Sequence, residues 1–471
     1  MKSSEVLELS AAGLARAIRA GKVSCASAME AVIARAGHVQ QGLNCFVRID
    51  ADEALAAARL ADLELSRGIV RGPLHGVPMA HKDMYYREGV PSSCGSKITV
   101  ERPAPTTATA LKRLDAAGAI QFGVLNMAEF AYGPTGHNYH LGHCRNPWDP
   151  ERITGGSSSG SGSAVAARAS FAALGSDTGG SIRAPATFCG LSGIKPTWSR
   201  VSRHGAMPLS FSMDTVGPLT RTVEDCAVMM GVMAGADPLD PTSSRQAVPD
   251  YVARLSRPMK GLRIATTKRY FHDNMDPEIE SLVQSSLETY ARLGAQIVEV
   301  DLPDMEAWGH AAVMIIAAEA AAAHANWLRT RPQDYSEQVR ARLEIGLAIP
   351  ATTYLESLRL RGVALQQFSE SVFGKADVLH VPSVSFQTPT IAETDVGGGE
   401  TMMKVMNTIT RLTRIGNYLG LPCLSVPAGF AKNGMPTAVQ LIGGQFDEAT
   451  LFAAGHAYQQ ATGWHLRSPI K

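Results

Sequence analysis

The stretch Thr154–Arg183, TGGSSSGSGSAVAARASFAALGSDTGGSIR, decides how the rest of the chain is read. Glycine and serine crowd both of its ends, while Ala164, Val165, Ala166, Ala167, Phe171, Ala172, Ala173 and Leu174 fill the middle. A flexible linker would continue Gly and Ser without interruption, whereas this apolar run needs burial. The simplest reading is a helix followed by a strand, joining two loops whose amides have little side-chain cover. In the second loop Ser181 follows Thr178, Gly179 and Gly180, and amides of that kind can hold an oxyanion.

Composition narrows the partners. Across 471 residues, 44 Lys and Arg stand against 43 Asp and Glu, a formal charge of +1. That balance leaves no basic footprint for nucleic acid and no polybasic run for an anionic membrane, and it suits a small, nearly uncharged substrate. The start, MKSSEVLELS, lacks the apolar core of a signal peptide, and the longest apolar run, from Ala311 to Ile316 and beyond, meets Glu319 too soon to span a bilayer. A cytoplasmic protein is expected. Seven scattered cysteines without a CxxC pair (Cys25, Cys45, Cys94, Cys144, Cys189, Cys226, Cys423) indicate neither a disulfide framework nor a zinc ribbon, and they read as small buried hydrophobes.

Away from the central stretch, helical and strand-like patterns alternate as in a layered α/β sheet. Apolar spacing predicts helices over Leu7–Arg19, Ser24–Arg35, Ala51–Leu65, Ala108–Ala117, Glu278–Leu293, Ala307–Trp327, Tyr354–Phe373 and Glu448–Gln460. Ala307–Trp327 is apolar enough to be wholly buried. Strands are expected over Asn44–Ile49, in the segment ending at Lys82, over Ile120–Leu125, from Gly261, and over Gln296–Val300, Asp377–Pro382, Leu421–Pro427 and Ala438–Ile442. The most linker-like segment, Ala236–Ser244, is too short to mark a boundary. The expectation is one large domain over 1–471, with a more variable, substrate-facing helical region at about 236–375.

Several chemistries compete for these residues. His137, His140 and His143 have ligand-like spacing, but Gly and Asn around them suggest a hydrogen-bonded loop rather than the rigid face a metal site uses. Gly156–Gly160 formally matches G-x-S-x-G with Ser158 as nucleophile; that elbow requires a strand directly before it, and Asn146–Ile153 carries two prolines and no apolar alternation. A phosphate-binding loop is not formed. There remain Ser181, the serine cluster upstream and Lys82. A lysine becomes a base if burial lowers its pKa from about 10.4 toward roughly 7 to 8.

Gly76-Val-Pro-x-x-x-Lys82-Asp83, Gly155-Gly-Ser-Ser158 and Gly175-Ser-Asp-Thr-Gly-Gly-Ser181-Ile-Arg183 together resemble the amidase signature family. Asn126–Phe130, Gly193–Pro196, Asp214–Leu219 and Gln440–Gly443 extend the resemblance over nearly the whole chain. It implies a mixed central β-sheet covered by helices on both faces and cleavage of the carbon–nitrogen bond of a small amide without a cofactor or metal. It also implies Ser181 as nucleophile, Ser157 as proton bridge after a cis Gly156–Ser157 peptide, and Lys82 as general base. Thr178, Gly179, Gly180 and Ser181 would supply oxyanion amides, Ala131 and Tyr132 (with Phe130 beside them) would line the acyl side, and Asp177, Arg183 and Ser158 would support the loops. Ser159, where many members have glycine, is one departure. Two activities share this resemblance. The leading one is a free-standing amide hydrolase, for which a homodimer is a compatible state. The other is the glutaminase component of a transfer-RNA-dependent amidotransferase, which passes ammonia to a partner chain without itself touching nucleic acid.

Overall fold

The computed structural model describes residues 1–469. Its strands are β1 (Phe46–Ile49), β2 (Pro78–Lys82), β3 (Ile120–Leu125), β4 (Ala172–Asp177), β5 (Ser192–Lys195), β6 (Thr215–Thr220), β7 (Arg263–Thr266), β8 (Gln296–Glu299), β9 (Val378–Pro382), β10 (Cys423–Phe430) and β11 (Pro436–Gly443). They form one 11-stranded mixed sheet in the order β1-β3-β2-β4-β6-β5-β10-β11-β9-β7-β8. Every residue of β2, β4, β5, β6, β9 and β11 is buried, so helices cover both faces of the centre, while the edge strands β1 and β8 are partly exposed. This is the single α/β domain expected from the pattern.

The central stretch folds as helix Ser159–Ala166, then β4, then helix Arg183–Cys189. Small residues are needed there because the first helix is wholly buried. A Cβ at Gly160 would lie 2.4 Å from the Cys45 carbonyl oxygen and 2.6 Å from the Asn126 amide, so only glycine lets the helix approach the end of β3. The serines satisfy backbone that burial would otherwise leave unpaired: Ser161 Oγ donates to the Leu174 carbonyl at 2.8 Å and Ser163 Oγ to that of Arg145 at 2.9 Å. A composition resembling a linker is thus that of a closely packed helix.

Elsewhere the pattern and the structure differ in instructive ways. The expected helix Leu7–Arg19 is two, Ser3–Glu8 and Ala11–Arg19, because Ser10 Oγ accepts the Gly13 amide at 3.0 Å and caps a new start. Ser24 caps the following helix as expected, accepting from the Ser27 amide, but that helix runs on to Leu43. Segment 236–244 is a fixed turn rather than a linker: Asp237 accepts from Thr109 and Ser202 at 2.6 and 2.5 Å, and Asp240 accepts the Arg203 amide. Helix Glu306–Thr330 is long and apolar enough to cross a membrane, yet one face packs on helices Glu337–Leu347 and Ala351–Val372 and only half of it is buried, so it is not the wholly buried helix expected. All seven cysteines are free and buried.

Candidate active site

Lys82 ends β2, which lies parallel to both β3 and β4. The carboxyl ends of parallel strands are where α/β sheets expose their chemistry, and here that end brings Lys82 beside β4. Its ammonium nitrogen lies 2.7 Å from Ser157 Oγ and 2.9 Å from Ser176 Oγ, with the side chain fully buried. Burial drives its pKa from 10.5 down to about 7, against the pull of Asp214 and Asp177 in the other direction. No carboxylate comes within ion-pairing distance of Lys82 among the described residues. Asp83, its neighbour in sequence, instead accepts from Ser92 and Ser93. A second buried lysine, Lys195, donates to the Pro196 carbonyl at 2.8 Å.

Ser157 is held from both sides. The Gly156 amide donates to the Pro134 carbonyl at 2.7 Å, the Ser157 carbonyl accepts from Ala128 at 3.1 Å, and the Gly156–Ser157 peptide is cis. A Cβ at Gly156 would fall 2.4 Å from the Gly133 carbonyl oxygen. Ser158 Oγ sits between the amide and carbonyl of Ser176, 3.3 Å from each, and so ties this loop to β4. No strand precedes it, as the two prolines imply.

The loop after β4 is organised by Asp177. Its carboxylate accepts from the amides of Gly180 (2.8 Å) and Ile182 (3.2 Å), and from Arg183 Nε and Nη2, both at 3.0 Å. Burial works against its charge, but the Arg183 guanidinium holds its pKa down at about 2. Arg183 in turn donates to the Thr413 carbonyl, Gln440 Oε1 and Asn417 Oδ1 at 2.7, 3.0 and 2.6 Å. The Gly180 amide is therefore committed to Asp177, which corrects its expected place among the oxyanion donors. Its own role is steric: at φ +135° a Cβ would lie 2.3 Å from Thr413 Oγ1. The amides of Gly179 and Ser181 have no protein acceptor among the described residues. Thr178 Oγ1 donates to Asp214 at 2.5 Å, and burial raises that carboxyl to about pKa 6 against this bond and the amides of Leu209 and Ser210.

Ser181, Gly179 and Thr178 face one cavity of about 100 Å³ together with Ala131 and Tyr132. Phe130 does not reach it; its ring packs among His324, Trp327 and Tyr335, 4.5 to 5.7 Å between centroids. The opposite wall comes from the expected helical region, through Ile316 and Arg342, and from Met406 and Arg414 further on. Ser157 and Ser181 share no hydrogen bond among the described residues. Ser176 has no signal in the sequence beyond its place next to Asp177, and Arg342 and Arg414 have none. The rings of His137 and His143 stay adjacent, 4.5 Å between centroids, but each histidine of the cluster is taken up by a loop contact: His137 meets Thr394, His140 meets Glu129, and His143 meets Asn138, at 2.9, 2.9 and 3.1 Å.

The Amidase family matches residues 27–452. The chain belongs to this family. It is 38% identical to one component of the glutamyl-tRNA(Gln) amidotransferase of Azotobacter vinelandii, an alignment covering 98% of this chain and 99% of that protein. A structure solved from an "unexpected vestigial protein complex" tied to the origins of an s-triazine catabolic enzyme superposes with a TM-score of 0.89 at 36% identity, over 98% of this chain and 99% of that one. The peptide amidase PAM, solved with the inhibitor chymostatin, gives 0.86 at 28% identity over 98% and 99%. The amidase signature resemblance and the α/β fold it implied are thereby established, and with them an enzyme of the carbon–nitrogen bond-cleaving kind.

Proposed function

We propose that this Amidase-family enzyme cleaves an amide by acylating Ser181, with Lys82 as base and Ser157 as proton bridge. The observation that carries the reading is the 2.7 Å contact between Ser157 and a lysine buried without a carboxylate partner. A neutral amine there accepts the Ser157 proton as Ser157 takes that of Ser181, and Ser181 Oγ bonds to the amide carbon. The resulting oxyanion is stabilised by the amides of Gly179 and Ser181, each such donor being worth about 3 to 4 kcal/mol. The proton returns along the same path to the departing nitrogen, the C–N bond breaks, and ammonia or an amine leaves an ester on Ser181. Water, deprotonated by the same relay, hydrolyses that ester.

Of the two versions of this chemistry, the relatives weigh toward the amidotransferase component rather than the free-standing hydrolase. The 38% identity to one such component, along 98% of this chain, supports a chain that works with a partner protein, in the cytoplasm, handing on the ammonia it releases. Ammonia release by the purified chain from a panel of primary amides, alone and after co-expression with its genomic neighbours, tests both levels. Release abolished in Ser181→Ala supports the mechanism; release unchanged in that variant overturns it. Stimulation by a co-purifying partner supports the amidotransferase reading.

A further inference from the structure

Two arginines line the cavity that holds Ser181, and neither has a carboxylate partner. Arg414 is buried, 7% exposed, and makes its hydrogen bonds to Asn407: Nη1 to Oδ1 at 2.9 Å and Nη2 to the carbonyl at 2.8 Å. Arg342 donates Nη1 to the Tyr132 carbonyl at 2.7 Å and lies 3.6 Å over the Tyr132 ring. The Nε of each is buried without a partner. All these contacts are to neutral groups, so they orient the guanidinium planes without neutralising them. The two cations are close enough that Arg342 adds to the effect of burial in disfavouring the charge on Arg414. Glu306 acts on Arg414 through space but is paired to Arg411 at 2.9 Å. The unpaired charge of buried Arg414 is costly, and the half-buried guanidinium of Arg342 nearby makes it more so, unless an anion arrives.

The rest of the wall sharpens what that anion belongs to. Met314, Ile316, Ile345, Met403 and Met406 are apolar, and no Asp or Glu lines the cavity among the described residues. An ammonium group entering here would meet two guanidinium ions and no counter-charge. We propose that the cavity selects an amide whose acyl part ends in a carboxylate, carries an apolar spacer and has no ammonium group, with Arg342 and Arg414 as the specificity-determining pair. Glutamine bears the carboxylate but also the excluded ammonium, so the lining of this cavity speaks against glutamine as the ammonia source that the amidotransferase relatives suggest. This inference rests on the amide-hydrolase reading for the reaction at Ser181, though not for the binding.

Three probes separate the parts: glutaramate, glutamine, which adds only the α-ammonium, and pentanamide, which replaces the carboxylate by a methyl group. Binding to the full-length Ser181→Ala chain is measured by calorimetry, and turnover by the wild type as ammonia release. Glutaramate is expected to bind and react roughly 10- to 100-fold better than either, the range one or two charge-assisted hydrogen bonds supply. Arg414→Met and Arg342→Met should each collapse the preference for glutaramate over pentanamide by about tenfold or more, with Arg414→Lys retaining more of it than Arg414→Met. Should Arg414→Met fail to fold, as its ligand-free melting would reveal, Arg342→Met carries the test. Equal kcat/KM for glutaramate and pentanamide, or a preference for glutamine, overturns the proposal while leaving amide hydrolysis standing. Selective glutaramate binding without turnover of any amide supports the anion site and overturns the hydrolase reading.

Discussion

If neutral Lys82 is the base, kcat/KM rises with pH through an inflection near its pKa of about 7. A lysine left at its ordinary value of about 10.4 would be neutral in fewer than about one molecule in a thousand at pH 7, whereas this one is neutral in about half, a gain of three orders of magnitude in competent enzyme. Between pH 6 and pH 8 the neutral fraction rises from about one tenth to about nine tenths, so activity should climb close to tenfold. The value follows from burial opposed by Asp214 and Asp177, and removing the Asp214 charge should move the inflection to lower pH. The assay is steady-state ammonia release from pentanamide, which does not titrate in this range, from pH 5 to 10 at constant ionic strength. Lys82→Met and Lys82→Arg should be inactive throughout. An inflection above pH 9, or a flat profile between pH 6 and 8 with chemistry limiting, would refute the desolvated-lysine argument.

The same shift has a consequence for stability. Between pH 7 and about 10.5 the folded chain holds Lys82 neutral while the unfolded chain holds it protonated, so wild-type stability rises with pH across that window, by up to about 5 kcal/mol at the conversion of 1.36 kcal/mol per pKa unit. Urea midpoints of wild type and Lys82→Met should therefore converge as the pH is raised from 7 to 10, the variant being favoured at the acid end. Asp177 shifts stability in the same direction, rising with pH, but in a window at the acid end. Its pKa is lowered from 3.8 to about 2, so its contribution is present above pH 4 and is lost as pH falls toward 2; Asp177→Asn should remove that acid-dependent step and cost about 3 to 5 kcal/mol at pH 7 by leaving Arg183 unpaired. The two loop glycines should separate in a melting experiment. Gly180→Ala, strained at φ +135° and against Thr413, should lose about 1 to 3 kcal/mol or more, while a Cβ at Gly179 meets only Ile316 and Arg414 at 3.7 and 3.9 Å, so Gly179→Ala should melt like wild type yet turn over more slowly.

Much of the architecture is legible in the sequence because long segments keep one period. Helices such as Pro277–Arg292 and Glu448–Thr462, and strands β3, β9 and β11, lie where their apolar spacing predicts. Strands β5 and β6 are not visible there. β5 has only four residues, and β6 contains Gly217 and Pro218, residues that argue against a central strand when only sequence is in hand. At the site, Lys82, Ser157 and Ser181 carry motif context, and the structure brings Lys82 against Ser157 and sets Ser181 on the cavity. Gly180 differs from its expected role because composition shows that an amide is uncovered, not which acceptor takes it; Asp177 does so from three residues away. Arg342 and Arg414 are hidden for a related reason: an arginine in an otherwise ordinary helical segment gives no sign that its partners will be an amide and a carbonyl rather than a carboxylate.

The most direct test of the account is the identity of the acylated residue. Wild type mixed with a slowly hydrolysed amide or activated ester, quenched in acid within one turnover and examined by peptide mass spectrometry, should carry the acyl group on Ser181 alone. Ser181→Ala should carry none, and Lys82→Met should acylate far more slowly. An adduct on Ser157 or Ser158, or full turnover in Ser181→Ala, would contradict it.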